Sequence, residues 1–245
     1  MIRVKDFHKA YDETIAVKGL NFEVAPGSIL GLIGPNGAGK TTTLRTLSGI
    51  IPPSRGQLSI AGHDLASEPL AAKRRLAYIP DDPQLFQDLT VSQHLAFAAA
   101  AYQVPDSAEK IERLLESFQL TQKLHTPVSD LSRGMKQKLA VCAAYLHEPL
   151  AIFFDEPLTG LDPHGIRALK ESILQRAAAG SAVIISSHLL AMVEDICTHV
   201  LILSRGEQRY FGPIDAVRTE YAQDSGTASL EEVFFRATEL VAAAM

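Results

Sequence analysis

The sequence predicts an α/β protein: a parallel core, an N-terminal antiparallel β-subdomain and an inserted α-helical subdomain. Three observations predict it. The continuous apolar runs SILGLI, LAIFFDE and SAVIISSH have the composition of parallel strands buried on both faces. Helical patterns alternate with these runs, as strand–helix–strand crossovers require. The shorter segments IRVKDF, LNFEV and QLSIAG come early in the chain and read as separate strands between turn signals.

Taken in order, IRVKDF and LNFEV are strands, with turns expected at Pro26–Gly27 and Arg55–Gly56. SILGLI is the first buried parallel strand. Residues 40 to 50 follow as a helix, stopped by Pro52–Pro53. Residues 91 to 148 are mostly helical. Within them DSAEKIERLLESF opens at an N-cap, Asp106 or Ser107, and puts Ile111, Leu114, Leu115 and Phe118 on one face. Between the last two buried runs, Asp162 caps a helix that has Pro163 at its first position and Gly180 just past its end. HVLILSRGEQRYFG is a hairpin turning at Arg205–Gly206. The expected organisation is one domain, with the α/β core and β-subdomain over about 1–84 and 149–212. The helical subdomain covers about 85–148, and a C-terminal helical tail about 213–245. TEYAQDSGTAS, residues 219–229, reads as a surface connection within that tail.

Composition narrows the function classes. A chain of 245 residues with 47% hydrophobic residues supports one sizeable core. A net charge of -5 and a pI near 5.9 argue against a nucleic-acid partner, which usually requires a basic face. Cys142 and Cys197 lie in apolar helical patterns without metal spacing and read as reduced core residues. No signal peptide opens the chain, and no apolar run reaches the roughly 18 residues of a membrane span.

The chemistry starts at GLIGPNGAGKTTTL. Gly34, Gly37, Gly39, Lys40 and Thr41 fit G-x-x-x-x-G-K-[ST], with a strand before and a helix after. Such a loop turns backbone N–H groups onto an anion, and the helix N-terminus adds partial positive charge. Lys40 suits the β- and γ-phosphates and Thr41 suits Mg²⁺. AIFFDEP delivers Asp155 and Glu156 to the same sheet edge. Asp155 suits a Mg²⁺ contact, direct or through water. Glu156 suits a general base or a water-orienting group. IISSH ends another strand at His188, which could bring an imidazole near the γ-phosphate.

LSRGMKQKLAVCAAYL, residues 131–146, starts a second helix with Ser132 at the cap and Gly134 in the first turn. At this point the sequence resembles the ATP-binding subunits of ABC transporters over nearly its whole length. That resemblance implies a P-loop NTPase (RecA-like) core. Tyr11 in HKAYDE resembles the aromatic residue that stacks on adenine. Residues 34–42 resemble the Walker A loop, with Pro35, Asn36, Gly37, Ala38, Gly39, Lys40, Thr41 and Thr42 at the nucleotide. Residues 131–135 resemble the signature motif, 150–156 Walker B, GLD at 160–162 the D-loop, and His188 the switch histidine.

What the resemblance implies is an ATPase that uses ATP and Mg²⁺, with Glu156 and His188 catalytic. Two ATPase chains, alike or different, would close head to tail, so that Ser132 and Gly134 meet the γ-phosphate held by the other chain. The motion would drive an integral membrane permease, placing the chain peripherally at the cytoplasmic face of the membrane. LSRGMKQK, YIPDDP and the tail SLEEVFF most resemble bacterial exporters, including the Ecs-type group. A soluble family member serving a soluble assembly partner is the alternative. Leu85, Phe86 and the helix around 93–101 are the expected permease surface.

Three positions, in two motifs, depart from the family pattern. Asp81 in YIPDDPQLF stands where the family usually has Gln, and it either ligates Mg²⁺ more directly or changes coupling. Arg133 and Met135 stand where the signature often has Gly and Gln.

Overall fold

The computed structural model describes residues 1–222 and 228–239. Part of the connection expected at 219–229 and the last residues of the tail lie outside that range. The chain opens with strands β1 (Ile2–Tyr11), β2 (Thr14–Val24) and β3 (Ile29–Ile33), followed by helix α1 (Lys40–Leu47). Strands β4 (Arg55–Ile60) and β5 (His63–Asp64), helix α2 (Pro69–Lys73) and strand β6 (Leu76–Ile79) complete the first part. The helical block comprises α3 (Val91–Ala101), α4 (Ser107–Ser117) and α5 (Arg133–Tyr145), with 3-10 turns at Thr121–Lys123 and Val128–Asp130. The chain then returns through β7 (Ala151–Asp155), α6 (Pro163–Ala178), β8 (Ala182–Ser186), α7 (Leu190–Ile196) and the hairpin β9 (His199–Ser204) and β10 (Glu207–Pro213). Helices α8 (Ile214–Glu220) and α9 (Leu230–Glu239) form the described tail.

Among the described residues the strands make two sheets. One is antiparallel, in the order β2-β1-β4-β5. The other runs β10-β9-β3-β8-β7-β6 and is parallel except for β10. Every residue of β3, β7 and β8 is buried, which is why these segments are continuously apolar rather than alternating. One apolar core fills the space between the two sheets, where Phe7, Leu20 and Ile60 meet Leu30, Phe153 and Ile184. A second lies under the helices, where Leu139, Cys142 and Tyr145 of α5 pack with Phe154 and Ile185. Cys142 and Cys197 are free thiols, and burial pushes both above the usual thiol range.

Three boundaries differ from expectation, each for a local reason. Arg55–Gly56 is not a turn. Arg55 opens β4, and Gly56 (φ +106°) lies so close to β1 that a Cβ there would sit 2.4 Å from the Asp6 carbonyl oxygen. β1 and β2 extend to a tight hairpin at Tyr11–Thr14, beyond the short apolar segments that announced them. α1 ends at Leu47, and Gly49 (φ +65°) turns the chain before Pro52–Pro53 is reached.

Asp162 does cap α6, accepting from the Gly165 N–H at 2.9 Å, with Pro163 behind it. Asp106 precedes α4 by position only, because its side chain caps nothing.

Candidate active site

Strand β3 ends at the sheet edge and the chain enters the glycine-rich turn. Gly37 and Gly39 both have positive φ, +79° and +104°. A Cβ on Gly39 would lie 2.6 Å from the Ala16 carbonyl oxygen, so only glycine fits the point where α1 begins. Residues Asn36, Gly37, Ala38, Gly39, Lys40, Thr41 and Thr42 line a cavity of about 250 Å³, closed by Ala16 and Glu156. The first turn of α1 carries no acid, so its N–H groups and dipole face the cavity unopposed.

Lys40 is 8% exposed. Its ammonium donates to the carbonyls of Gly34 (2.7 Å) and Pro35 (3.2 Å). Burial lowers its pKa, and the charges of Glu156 and Asp155 act in the opposite sense. A cation desolvated in this way is stabilised by any anion that enters the cavity.

Asp155 is 4% exposed and strongly held. Its Oδ1 accepts from Ser186 Oγ (2.5 Å) and Thr41 Oγ1 (3.2 Å), and its Oδ2 accepts from the Tyr78 hydroxyl (3.2 Å). Register explains the set. Asp155 pairs directly with Ser186 on β8, while Tyr78 stands on the other neighbour, β6. Burial first, then the Asp155 charge, push the Tyr78 phenol up to about 12, so it stays a donor. Ser186 and Tyr78 were not singled out from sequence. The available signal was the polar residue at the end of each flanking apolar strand.

Glu156 follows in left-handed backbone (φ +49°), with its N–H on the Ser186 carbonyl at 3.1 Å. A non-glycine residue in that region carries strain, and such strain clusters at functional sites. Its Oε2 lies 2.7 Å from His188 Nδ1. A carboxylate only accepts, so Nδ1 carries the proton in this bond. His188 also points its backbone N–H at Oε2, at 3.4 Å.

The remaining expected residues stand outside the cavity. Tyr11 is at the tip of the β1–β2 hairpin, exposed, with the Lys9 ammonium 4.8 Å from its ring centre. Ala16 of the same hairpin reaches the cavity instead. Ser132 caps α5, accepting from the Met135 N–H at 3.3 Å. Gly134 packs so tightly on the loop between β7 and α6 that a Cβ would sit 2.5 Å from the Gly160 carbonyl oxygen. Neither lines the phosphate cavity of its own chain. Asp81 lines a neighbouring groove of about 800 Å³ together with Thr41 and Asp155, and its Oδ1 accepts from Arg133 Nη2 at 3.0 Å.

The cavity fits a nucleotide triphosphate tail. The Thr41 hydroxyl and the Asp155 carboxylate, already in contact, are hard oxygen donors of the kind Mg²⁺ takes together with phosphate oxygens. Among the described residues no cluster of three or more His, Cys, Asp or Glu forms another metal site. Fold and site together define a P-loop NTPase with the ATP-binding cassette architecture.

Comparison with known proteins agrees. The ABC transporter family model matches residues 17–159. The ABC-type transporter ATP-binding protein EcsA of Bacillus subtilis (strain 168) is 35% identical over 243 residues, covering 98% of this chain and 97% of that protein. The Nod factor export ATP-binding protein I of Cupriavidus metallidurans is 32% identical, covering 85% of this chain and 69% of that protein. A solved structure described as the ATP-binding subunit of an ABC transporter matches with a TM-score of 0.89 at 36% identity, covering 97% of this chain and 99% of that one. The chain belongs to the ATP-binding subunits of the ABC transporter family.

Proposed function

We propose that the chain binds Mg·ATP in the cavity between Lys40 and Glu156 and hydrolyses it to power an integral membrane permease of an exporter. The observation that carries this reading is the convergence of Lys40, Thr41, Asp155 and Glu156 on one edge of one sheet. Lys40 exchanges its bonds to Gly34 and Pro35 for phosphate oxygens. Thr41 and Asp155 would hold Mg²⁺, which would supply neutralisation of the phosphate charge. Ser186 and Tyr78 keep the Asp155 carboxylate oriented. Glu156 orients the attacking water and takes up its proton, and His188 fixes the Glu156 carboxylate. Water adds to the γ-phosphorus, the bond to ADP breaks, and phosphate leaves. Tyr11 offers its exposed ring to adenine. Asp81 is engaged by Arg133, so the metal is assigned to Thr41 and Asp155 alone.

Ser132 and Gly134 stand at the start of a helix and do not line the cavity at the glycine-rich loop, which supports completion of a partner's site by a second ATPase chain. The permease surface lies beside the 800 Å³ groove. Phe86 and Phe97 are 55% and 52% exposed and stack edge to face at 5.0 Å, an apolar pair left open to solvent. No described helix is long and apolar enough to cross a membrane, so the pore belongs to another chain in this reading. The chain then sits peripherally at the cytoplasmic face of the membrane. Export is favoured by the relative named for Nod factor export.

The test is affinity capture of the tagged chain from native membranes in detergent, with mass spectrometry of what remains bound. A polytopic membrane protein is expected. Recovery of soluble partners alone, from material that still hydrolyses ATP, would contradict the transporter assignment.

A further inference from the structure

Two of the positions that depart from the family pattern, Asp81 and Arg133, are 52 residues apart in sequence and touch in space. Arg133 Nη2 donates to Asp81 Oδ1 at 3.0 Å across the joint between the sheet edge and the helical subdomain. The contact is not a chance meeting of two free side chains. The Arg133 stem lies across the D-loop glycine: a Cβ on Gly160 would sit 3.1 Å from Arg133 Cδ and 3.2 Å from its Cγ. That glycine has φ +79° and carries no side chain to push the arginine away. The same end of α5 is tied down twice more. Lys136 Nζ donates to Gln87 Oε1 at 3.1 Å, and Lys138 Nζ lies 3.6 Å from Asp162 Oδ1.

Asp81 shares its groove with Thr41 and Asp155, the two groups that would hold Mg²⁺. A bare carboxylate there would add negative charge beside a nucleotide that already carries several. An exposed ion pair contributes little to stability, so the consequence lies elsewhere. We propose that Asp81 and Arg133 form one compensated pair, in which the guanidinium masks the carboxylate beside the nucleotide and ties the start of α5 to the loop after β6. This rests on the ATP-site reading above. It makes Arg133 a positioning and charge-masking residue rather than a catalytic one. It also explains how a carboxylate can stand beside the nucleotide: the guanidinium offsets its charge.

The test is a double-mutant cycle on the full chain, with Asp81→Gln, Arg133→Gln and the double variant. The readouts are affinity for a fluorescent ATP analogue and the KM and kcat of phosphate release. Arg133→Gln alone exposes the carboxylate and should raise KM about 5- to 10-fold, with kcat within about twofold. The defect should shrink in about 0.5 M salt, because the exposed charge is screened. Adding Asp81→Gln should bring KM back to within about twofold of the parent. Arg133→Lys keeps the charge and should stay near the parent. If the single effects simply multiply in the double variant, or if Arg133→Lys is as impaired as Arg133→Gln, the pair is not a charge mask and the inference falls. Lys40→Ala, run alongside, reports on the site itself. If that variant binds the analogue as the parent does, the ATP-site reading is wrong and the pairing proposal falls with it.

Discussion

At Asp155 three donors converge on one buried carboxylate, and the site depends on all of them. Tyr78→Phe deletes one donor but leaves Ser186 and Thr41 in place, so the chain should fold and lose about 1 kcal/mol. Denaturant titration of parent and variant checks this, and an unchanged midpoint would mean that the 3.2 Å bond contributes nothing. Tyr78 also gives a pH signature. Its folded pKa of about 12 lies above the ordinary value of 10.0, so its contribution is intact below pH 10 and is lost as pH rises from 10 toward 12. Tyr78→Phe should flatten the stability curve in that window, and an identical alkaline slope in both proteins would argue against the shift. Gly39 is the other exacting residue. Gly39→Ala adds a Cβ to a position with φ +104° and 2.6 Å from the Ala16 carbonyl, so nucleotide affinity should drop at least tenfold by calorimetric titration.

The elements show how far sequence reading reached and where it stopped. β3, β7 and β8 were legible because strands buried on both faces leave unbroken apolar runs, and each run ended at the residues proposed for the chemistry. The Ser132 and Asp162 caps were legible because a capping side chain bonds within its own first turn. Contacts made through sheet order were not. That Ser186 and Tyr78 flank Asp155 follows from β7 lying between β8 and β6, and nothing local encodes that order. For the same reason Asp81 and Arg133 looked like two separate departures. β7 is also the element on which the site hangs. Phe154→Ala on this fully buried strand should cost about 3–5 kcal/mol and displace Asp155 and Glu156 together. A melting temperature close to the parent's would contradict that dependence.

Across the described residues, a cavity on the sheet edge, a second helix N-terminus outside its lining and an open aromatic pair support the proposed reading of a motor part rather than a self-contained enzyme. In that reading each half of the arrangement is completed by a neighbour. In the proposed reading the cavity has its cation, its metal donors and its base. It lacks the outer cap that Ser132 and Gly134 would supply from another chain. Lys40→Ala should therefore remove nucleotide binding, whereas changes at Ser132 should spare the first binding step and impair closure.

The measurement that bears most directly on the hydrolytic site is a comparison of parent and Glu156→Gln for fluorescent ATP binding and phosphate release in the presence of Mg²⁺. The expected result is affinity within a few-fold of the parent, with phosphate release slowed at least about 100-fold, since the amide keeps the shape and loses the base. Phosphate release at the parent rate would contradict the assignment of Glu156, and with it the chemistry proposed for the cavity.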